Sequence, residues 1–492
     1  MNNKLTTYSL LLLLPALMLI SCTQGDEDLP GAAGKADGSA ILFSVTMPDA
    51  DRRSNSTTVA DNLSDGGFYV SAICPEDDAA AGNTLNTYFT EQFATRLDEM
   101  PGYFGMFDQS SEQWVWPTTR HGKQGQLKFF AFYPSREVLS RDAAVELSDG
   151  YFTLTNKSTK RGTAVTYDYR MSRFNINNDI SRHIDFVTAT AEGSKKANGE
   201  TGVDVNLAFE HQLSRVTLKA WGNITDNNSG FANIEIAGVR IGGAVVESDF
   251  NFAEKPTNYA SGDRTTTGNW VAPQTKGCVE YIYREGDIVI RLDGDSYKAE
   301  TAATSIMGNG GWAMVIPADY TGWNKNNQGL YFSVLLRVKG KDKNNTLLYP
   351  YVEGAQMSGT TNTNKMNVIY LSVDRTTGEV MKRLYKDGPQ FFTDPGHTQV
   401  YTAPDTEEIR NYGWAAIPLS TLCWKPGYQY TYTLDYTNGV GVEDPADLFP
   451  GRPIISKISV AVTENGTTWP MVYDFKNEGE DGVDVTDKIT IE

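Results

Sequence analysis

The sequence predicts an all-β chain of β-sandwich architecture, and three observations predict it. Apolar residues recur at every second position in run after run, helical spacing is scarce, and Asn/Gly/Asp clusters punctuate the runs. Composition agrees: Tyr 25, Phe 21 and Gly 45, with aromatics at 11%, suit strands joined by frequent turns. With 40% hydrophobic and 21% charged residues, the chain has enough apolar content to fold. Its 492 residues exceed one ordinary core, so two folded units with tails are expected.

Taken in order, the first alternating run is Ile41, Phe43, Val45 and Met47, ending at Pro48-Asp49. Val203, Val205, Leu207 and Phe209 form the next clear one, followed by Val216, Leu218 and Ala220, then Ile234 and Ile236, then Val239 and Ile241. Phe332, Val334, Leu336 and Val338 alternate again, as do Tyr428, Tyr430, Tyr432 and Leu434. Ile458, Val460 and Val462 come near the end. Each reads as a half-buried strand. The segment Leu85 to Glu99 has scattered helical spacing and is expected to hold a short helix. Asn223–Gly230, Thr257–Gly268, Asn324–Gly329 and Asn362–Lys365 read as loops. Asp293-Gly294-Asp295 reads as a hairpin turn between Ile288–Leu292 and Tyr297.

The N-terminus decides the compartment. Lys4 supplies a positive start and Leu10 to Ile20 an apolar run, shorter than the roughly 20 residues of a membrane span. The run ends Leu19-Ile20-Ser21-Cys22, the pattern of a bacterial lipobox. Residues 1–21 are therefore expected to be a lipoprotein signal peptide, and Cys22 the site of lipidation. Two or more acyl chains are what stable anchoring needs. Residues 22–38 follow as a lipidated tether, its Gly31–Gly38 stretch flexible. The polar stretch Ala189–Gly202 is the best internal boundary, giving an N-terminal sandwich over 39–198 and a larger one over 199–492. With Cys22 lipidated, three thiols remain; Cys74 and Cys423 read as buried small hydrophobes, not as a disulfide framework.

Chemistry is sparse. The formal charge of −18 disfavours nucleic acid as a partner. His121, His183, His211 and His397 include no pair at metal-ligand spacing. The motifs His-Glu-x-x-His, Cys-x-x-Cys and Gly-x-Ser-x-Gly are absent, as is a phosphate loop. His211, between Phe209 and Leu213, reads as a structural hydrogen-bonding residue. Asp444 and Asp447 form a carboxylate pair of the kind hydrolases use, or simply an acidic loop. The expectation is no catalytic residue, no cofactor and no metal. Trp114 and Trp116 share one face of a strand and have two readings, stacking on a glycan or anchoring the core.

Several segments together resemble the fimbrillin and Mfa-like proteins of Bacteroidales, the subunits of type V pili. They are the lipobox with Ile41-Leu42-Phe43-Ser44-Val45, Trp116-Pro117 with the stretch Leu127 to Pro134, and Ile184-Asp185-Phe186-Val187-Thr188-Ala189. Phe209-Glu210-His211-Gln212-Leu213-Ser214-Arg215-Val216 and the stretch Trp424 to Leu434 complete the set. The acidic stretch after Cys22 (Asp26-Glu27-Asp28) likewise resembles the export signal of Bacteroidetes surface lipoproteins.

The resemblance implies two transthyretin-like (Greek-key) β-sandwich domains in tandem, the first smaller. It implies a non-enzymatic subunit or adhesin of the outer membrane and fimbrium. Its partners would be other pilus subunits or copies of itself, with host proteins or glycans as further partners. Assembly in the family is by strand exchange, after an Arg-specific protease removes an N-terminal strand. Here the strand to be released would be Ile41, Phe43, Val45 and Met47, with cleavage at Arg52 or Arg53. The donor would be the C-terminal tail, where Val483, Val485, Ile489 and Ile491 share a face; the same tail also reads as the last strand of the second sandwich. A surface lipoprotein that binds host or dietary glycans without polymerising is the alternative.

Overall fold

Alternation of apolar and polar side chains drives this chain into strands because it gives each strand one face for a core and one for solvent. The computed structural model describes residues 40–46, 67–73, 87–97, 103–107, 114–116, 126–133, 154–161, 164–183, 185–194, 205–224, 231–258, 265–293, 297–308, 311–323, 329–341, 344, 346–350, 368–445, 454, 460–468 and 487–490. In chain order its strands are β1 (Leu42–Thr46), β2 (Gly67–Ile73), β3 (Thr87–Arg96), β4 (Tyr103–Met106), β5 (Gln126–Tyr133), β6 (Leu154–Arg161), β7 (Ala164–Asn175), β8 (Val187–Ser194), β9 (Val205–Ala208) and β10 (Glu210–His211). They continue as β11 (Ser214–Trp221), β12 (Phe231–Asn258), β13 (Thr265–Ile282), β14 (Ile290–Leu292), β15 (Thr304–Ser305), β16 (Ala313–Val315), β17 (Asp319–Tyr320), β18 (Tyr331–Gly340), β19 (Leu347–Tyr349) and β20 (Val368–Asp374). The last are β21 (Val380–Asp387), β22 (Gln390–Phe392), β23 (Val400–Tyr401), β24 (Glu407–Pro418), β25 (Leu422–Cys423), β26 (Tyr428–Asp435), β27 (Val442–Glu443), β28 (Ala461–Thr468) and β29 (Asp487–Thr490). The protein is nearly all β, as expected.

The first sheet has eight strands in the order β10-β8-β5-β2-β3-β4-β1-β9. Only Phe209 separates β9 from β10, so the two ends of that order lie side by side and the sheet must curl. It closes on a core containing Phe43, Phe68, Phe104, Phe129, Leu207 and Phe209. The run in β5 is apolar on both faces for a reason. Leu127, Phe129, Ala131 and Tyr133 point into this core, whereas Phe130 and Phe132 point out of it into the second. Phe130 meets Phe252 of β12 edge to face at 5.9 Å.

The second core lies between two sheets. One has thirteen strands, with the path β23-β22-β21-β20-β24-β18-β12-β7-β6; the other has six, with the path β15-β11-β26-β28-β29. Ile234, Ile236, Val239 and Ile241 of β12 and Phe332 and Val334 of β18 face Val216 and Leu218 of β11 and Tyr432 of β26. Phe332 and Tyr432 touch across the gap, ring centroids 4.8 Å apart. Ladders cross the 198/199 division in both directions. β9 and β10 complete the first sheet, and β7 joins the thirteen-stranded sheet by pairing with β12.

Besides the expected loop Thr257–Gly268, whose ends belong to β12 and β13 and pair as Thr257–Thr266 and Asn258–Thr265, two expectations need correction. The segment expected to hold a short helix is β3, paired along β2 and β4. A bulge explains the misleading spacing. Val70 pairs with Gln92 but Ala72 with Phe89, so β3 carries an extra residue there. Glu91 takes φ 46°, and its N–H donates to Ser71 Oγ at 2.9 Å. The extra residue breaks the alternation and leaves Phe89 and Phe93 four apart, a helical interval. Cys423 is the second correction: it is exposed, as is Cys278, because it lies on the short strand β25, paired only with β17. Cys74 lies outside the described residues. β14 pairs with β12, and the Tyr297 carbonyl accepts from Gly222 N at 2.9 Å; Gly294 and Asp295 of the expected turn lie outside the described residues.

Candidate strand-exchange site

β1 is the strand around which the first sheet closes. Its sequence, Leu42-Phe43-Ser44-Val45-Thr46, alternates, so Phe43 is driven inward while Leu42 and Ser44 stay half-buried. The strand pairs on both sides, antiparallel with β4 through Leu42–Ser44 and parallel with β9 through Phe43–Thr46. Ile41 and Phe43 are completely buried, and Val45 packs at the edge of the same core. The Phe43 ring sits 5.3 Å from Phe129 and 6.0 Å from Phe68, both nearly perpendicular. Ser44 Oγ donates to Asn206 Oδ1 at 3.0 Å, which ties β1 to β9 through side chains as well. Taking this strand out would open two ladder edges and an apolar slot. Met47, Arg52 and Arg53 lie outside the described residues, as does Cys22.

At the other end of the chain, β29 is the outermost strand of the six-stranded sheet, antiparallel to β28 through Asp487–Thr490. Ile489 lies opposite Val462 in that ladder. Val483, Val485 and Ile491 lie outside the described residues.

Two of the segments that carry the family resemblance are brought together by the fold. The stretch Phe209–Val216 leads into β11 and the stretch Trp424–Leu434 into β26, and the two pair in parallel from Arg215–Gln429 to Trp221–Asp435. The Pro426-Gly427 turn makes the approach. Gly427 takes φ 69°, left-handed backbone that glycine adopts without penalty, and its N–H donates to Leu213 O at 2.9 Å. Ser214 Oγ donates to Lys425 O at 2.7 Å. Trp424 is fully buried with its Nε1 donating to Tyr432 Oη at 2.7 Å.

The third family segment joins the two cores. His211 Nδ1 and Asp185 Oδ2 are 2.6 Å apart, with both side chains buried. Next to them Gln212 N donates to Phe186 O, and Trp270 Nε1 donates to Gln212 O at 2.7 Å. Phe250 meets both Phe186 and Trp270 edge to face, and Phe186 lies tilted against Trp270, the three centroids 5.0–5.9 Å apart. Two residues before Asp185, His183 ties the turn after β7 to β16. Its Nδ1 accepts from Met314 N at 2.8 Å, so its Nε2 carries the proton and donates to Asn177 O at 2.7 Å. Burial pushes this imidazole down to about 4, against the opposing pull of the Asn177 carbonyl and the Asp179 charge. Sequence reading singled out His211 but passed over His183, whose partner Met314 lies far along the chain.

The other singled-out residues are structural or peripheral. Trp116 is 2% exposed, with its ring against Phe129 at 5.8 Å; Trp114 is half-buried against Phe89 and Tyr88. Stacking on a sugar needs an open ring face, which Trp116 does not offer. Asp444 is fully buried beside Arg240, Oδ1 to Nη1 3.4 Å, and the same guanidinium holds Glu280 at 2.7 Å and lies 4.1 Å over the Trp414 ring. This carboxylate anchors β27 to the sheet; its companion Asp447 lies outside the described residues. Among the described residues no three His, Cys, Asp or Glu side chains are grouped to hold a metal.

Comparison with known proteins decides the family. A family profile described as Fimbrillin-like matches residues 103–447, well over half of the 492. The chain belongs to the fimbrillin-like family. Among solved structures, this fimbrillin-like chain is similar to a fimbrial protein from Bacteroides vulgatus, with 13% identity, 87% of this chain and 99% of that one covered, and a TM-score of 0.45. It is also similar to the fimbrial anchor protein Mfa2 from Porphyromonas gingivalis, with 10% identity, 60% of this chain and 76% of that one covered, and a TM-score of 0.24. No curated protein matches the sequence.

Proposed function

We propose that this fimbrillin-like chain is a non-enzymatic fimbrial subunit or associated cell-surface adhesin that assembles by β-strand addition. In this reading the precursor is lipidated at Cys22 and carried to the outer-membrane surface. The body is two tandem sandwiches, with strands traded across the 198/199 division. Cleavage at Arg52 or Arg53 frees β1, and the tail bearing Val483, Val485, Ile489 and Ile491 of a neighbour takes its place.

One observation carries the proposal: β1 is short, paired on both sides, and buried to zero exposure at Phe43 and at Ile41 just before it. Burying two such side chains contributes about 1.5–3 kcal/mol each, and seven register pairs add to that. Loss of the strand therefore leaves a subunit with a strong and specific demand for another alternating strand, satisfied by a complementary ribbon from outside. The peripheral position of β29 supports the donor half of the reading, since an outermost strand detaches without opening the second core.

The test is limited Arg-specific proteolysis of the full chain, followed by unheated denaturing gels and N-terminal sequencing. Cleavage after Arg52 or Arg53 with a ladder of heat-sensitive polymers is the expected result. A cleaved chain that keeps its first strand bound and stays monomeric would reject strand addition.

A further inference from the structure

The outer face of the six-stranded sheet lies away from the strand-exchange slot. β11 and β26 run parallel in its middle, and both alternate strictly between buried and half-buried residues. Val216, Leu218 and Ala220 enter the second core together with Tyr430, Tyr432 and Leu434. The residues between them therefore share the opposite, solvent face. Register sets these side by side: Thr217 with Thr431, Lys219 with Thr433, and Trp221 with Asp435. β28 continues the rows, with Asn465 opposite Thr431 and Thr463 opposite Thr433. The seven register pairs of β11 with β26 make a flat face about 20 Å long.

This face is polar except at one point, and its groups are unspent. The Thr431 and Thr433 hydroxyls make no hydrogen bond among the described residues. Asp435 Oδ1 accepts from Thr437 N at 2.8 Å, which leaves Oδ2 without a partner among the described residues. Trp221 is half-buried, and neither its indole N–H nor its ring enters a hydrogen bond or ring contact among the described residues. Trp312, just before β16, differs: the Arg215 guanidinium lies over its ring at 5.6 Å. An open aromatic face set among hydroxyls and a carboxylate matches a pyranose, which has an apolar C–H face and a rim of hydroxyls that donate and accept. A protein anchor would instead need an apolar surround able to close over the ring, and Lys219, Thr433 and Asp435 supply none.

We infer that this face binds a neutral glycan chain, with one sugar ring stacked on Trp221, Asp435 Oδ2 accepting from its hydroxyls, and the Thr433 and Thr431 hydroxyls bonding the rings that follow. The Asp435 carboxylate and the formal charge of −18 turn acidic sugars away. The site stands independently of strand addition, since none of its residues belongs to β1 or β29.

The test is calorimetric titration of the full chain with cellohexaose and with lacto-N-neotetraose, which separate plant and animal sources of a neutral glycan, and with tetragalacturonate as the acidic comparison. At least one neutral sugar is expected to bind, about tenfold or more tightly than the acidic one. Trp221→Ala is expected to weaken that binding about tenfold or more with an unchanged melting temperature, and Asp435→Asn about threefold to tenfold. A second readout needs only the wild type. Mild N-bromosuccinimide oxidation, mapped by peptide mass spectrometry, should modify Trp221 in the free chain and spare it when the sugar is bound. Failure of both neutral sugars to bind, equally tight binding of tetragalacturonate, undiminished binding by Trp221→Ala, or a bound sugar that leaves Trp221 open to oxidation would overturn the assignment.

Discussion

Lowering the pH should loosen the packing of β16 against the turn after β7 through a single imidazole. His183 is buried and neutral, clamped by Met314 N on one ring nitrogen and Asn177 O on the other. Burial holds its pKa near 4 in the folded chain, whereas an unfolded histidine titrates near 6.5. Between those values the unfolded chain binds the extra proton and the folded chain does not. Stability therefore rises with pH across that window and falls on acidification from about 6.5 to 4. A depression of that size corresponds to roughly 3 kcal/mol, fully present above pH 6.5 and absent below 4. The assay is denaturant unfolding of the wild type and His183→Gln at half-unit steps from pH 7.5 to 4. At pH 7.5 the variant should be weaker by about 1–3 kcal/mol, through loss of the Met314 contact. Acidic residues elsewhere titrate equally in both proteins, so the difference between the curves isolates the imidazole. It should shrink, and can reverse, as pH falls through the window. Parallel curves from pH 7 to 4 would refute the reasoning.

Other expectations concern packing and reactivity. Arg240→Met removes the guanidinium beside fully buried Asp444 and should destabilise by about 3–5 kcal/mol, with Asp444→Asn in the same chain restoring part of it, as read by urea midpoints. Phe43→Ala should cost about 3–5 kcal/mol and expose the amides of β4 and β9 to hydrogen exchange before those of β12 and β18. The Cys423 thiol, although exposed, is pushed up to about 11 by partial burial of its sulfur and a hydrogen bond with Asp319. At pH 8 it should react with an aromatic disulfide reagent at least about tenfold more slowly than free cysteine, and a faster reaction would contradict that environment.

Much of the fold was legible because burial follows alternation. β1, β9, β11, β18 and β26 all stand where period-two spacing placed them. The tyrosines of β26 turn inward as their spacing required. Legibility failed where local rules were broken by pairing. The β3 bulge mimicked a helix, and only the register against β2 reveals it. Cys423 looked like core from its neighbour Leu422, but lies on a two-residue strand with one ladder. Side-chain partnerships between remote elements were least visible. Nothing near Asp444 in the sequence announces Arg240, and nothing near His183 announces Met314. The aromatic run of β5 was visible as a motif, but its two-sided role emerged only once a second core was seen behind the first sheet.

The parallel ladder of β11 with β26 also sets an order of events during synthesis and export. An emerging chain delivers Ser214–Trp221 long before Tyr428–Asp435 arrives to lie beside it. Until then one flank of β11 offers unpaired amides and carbonyls to any passing strand, and such long-range closure is intrinsically slow. Completion of this sheet is thus timed by about the last eighth of the polypeptide, and a chain stopped short of Tyr428 would present an adhesive, unfinished edge.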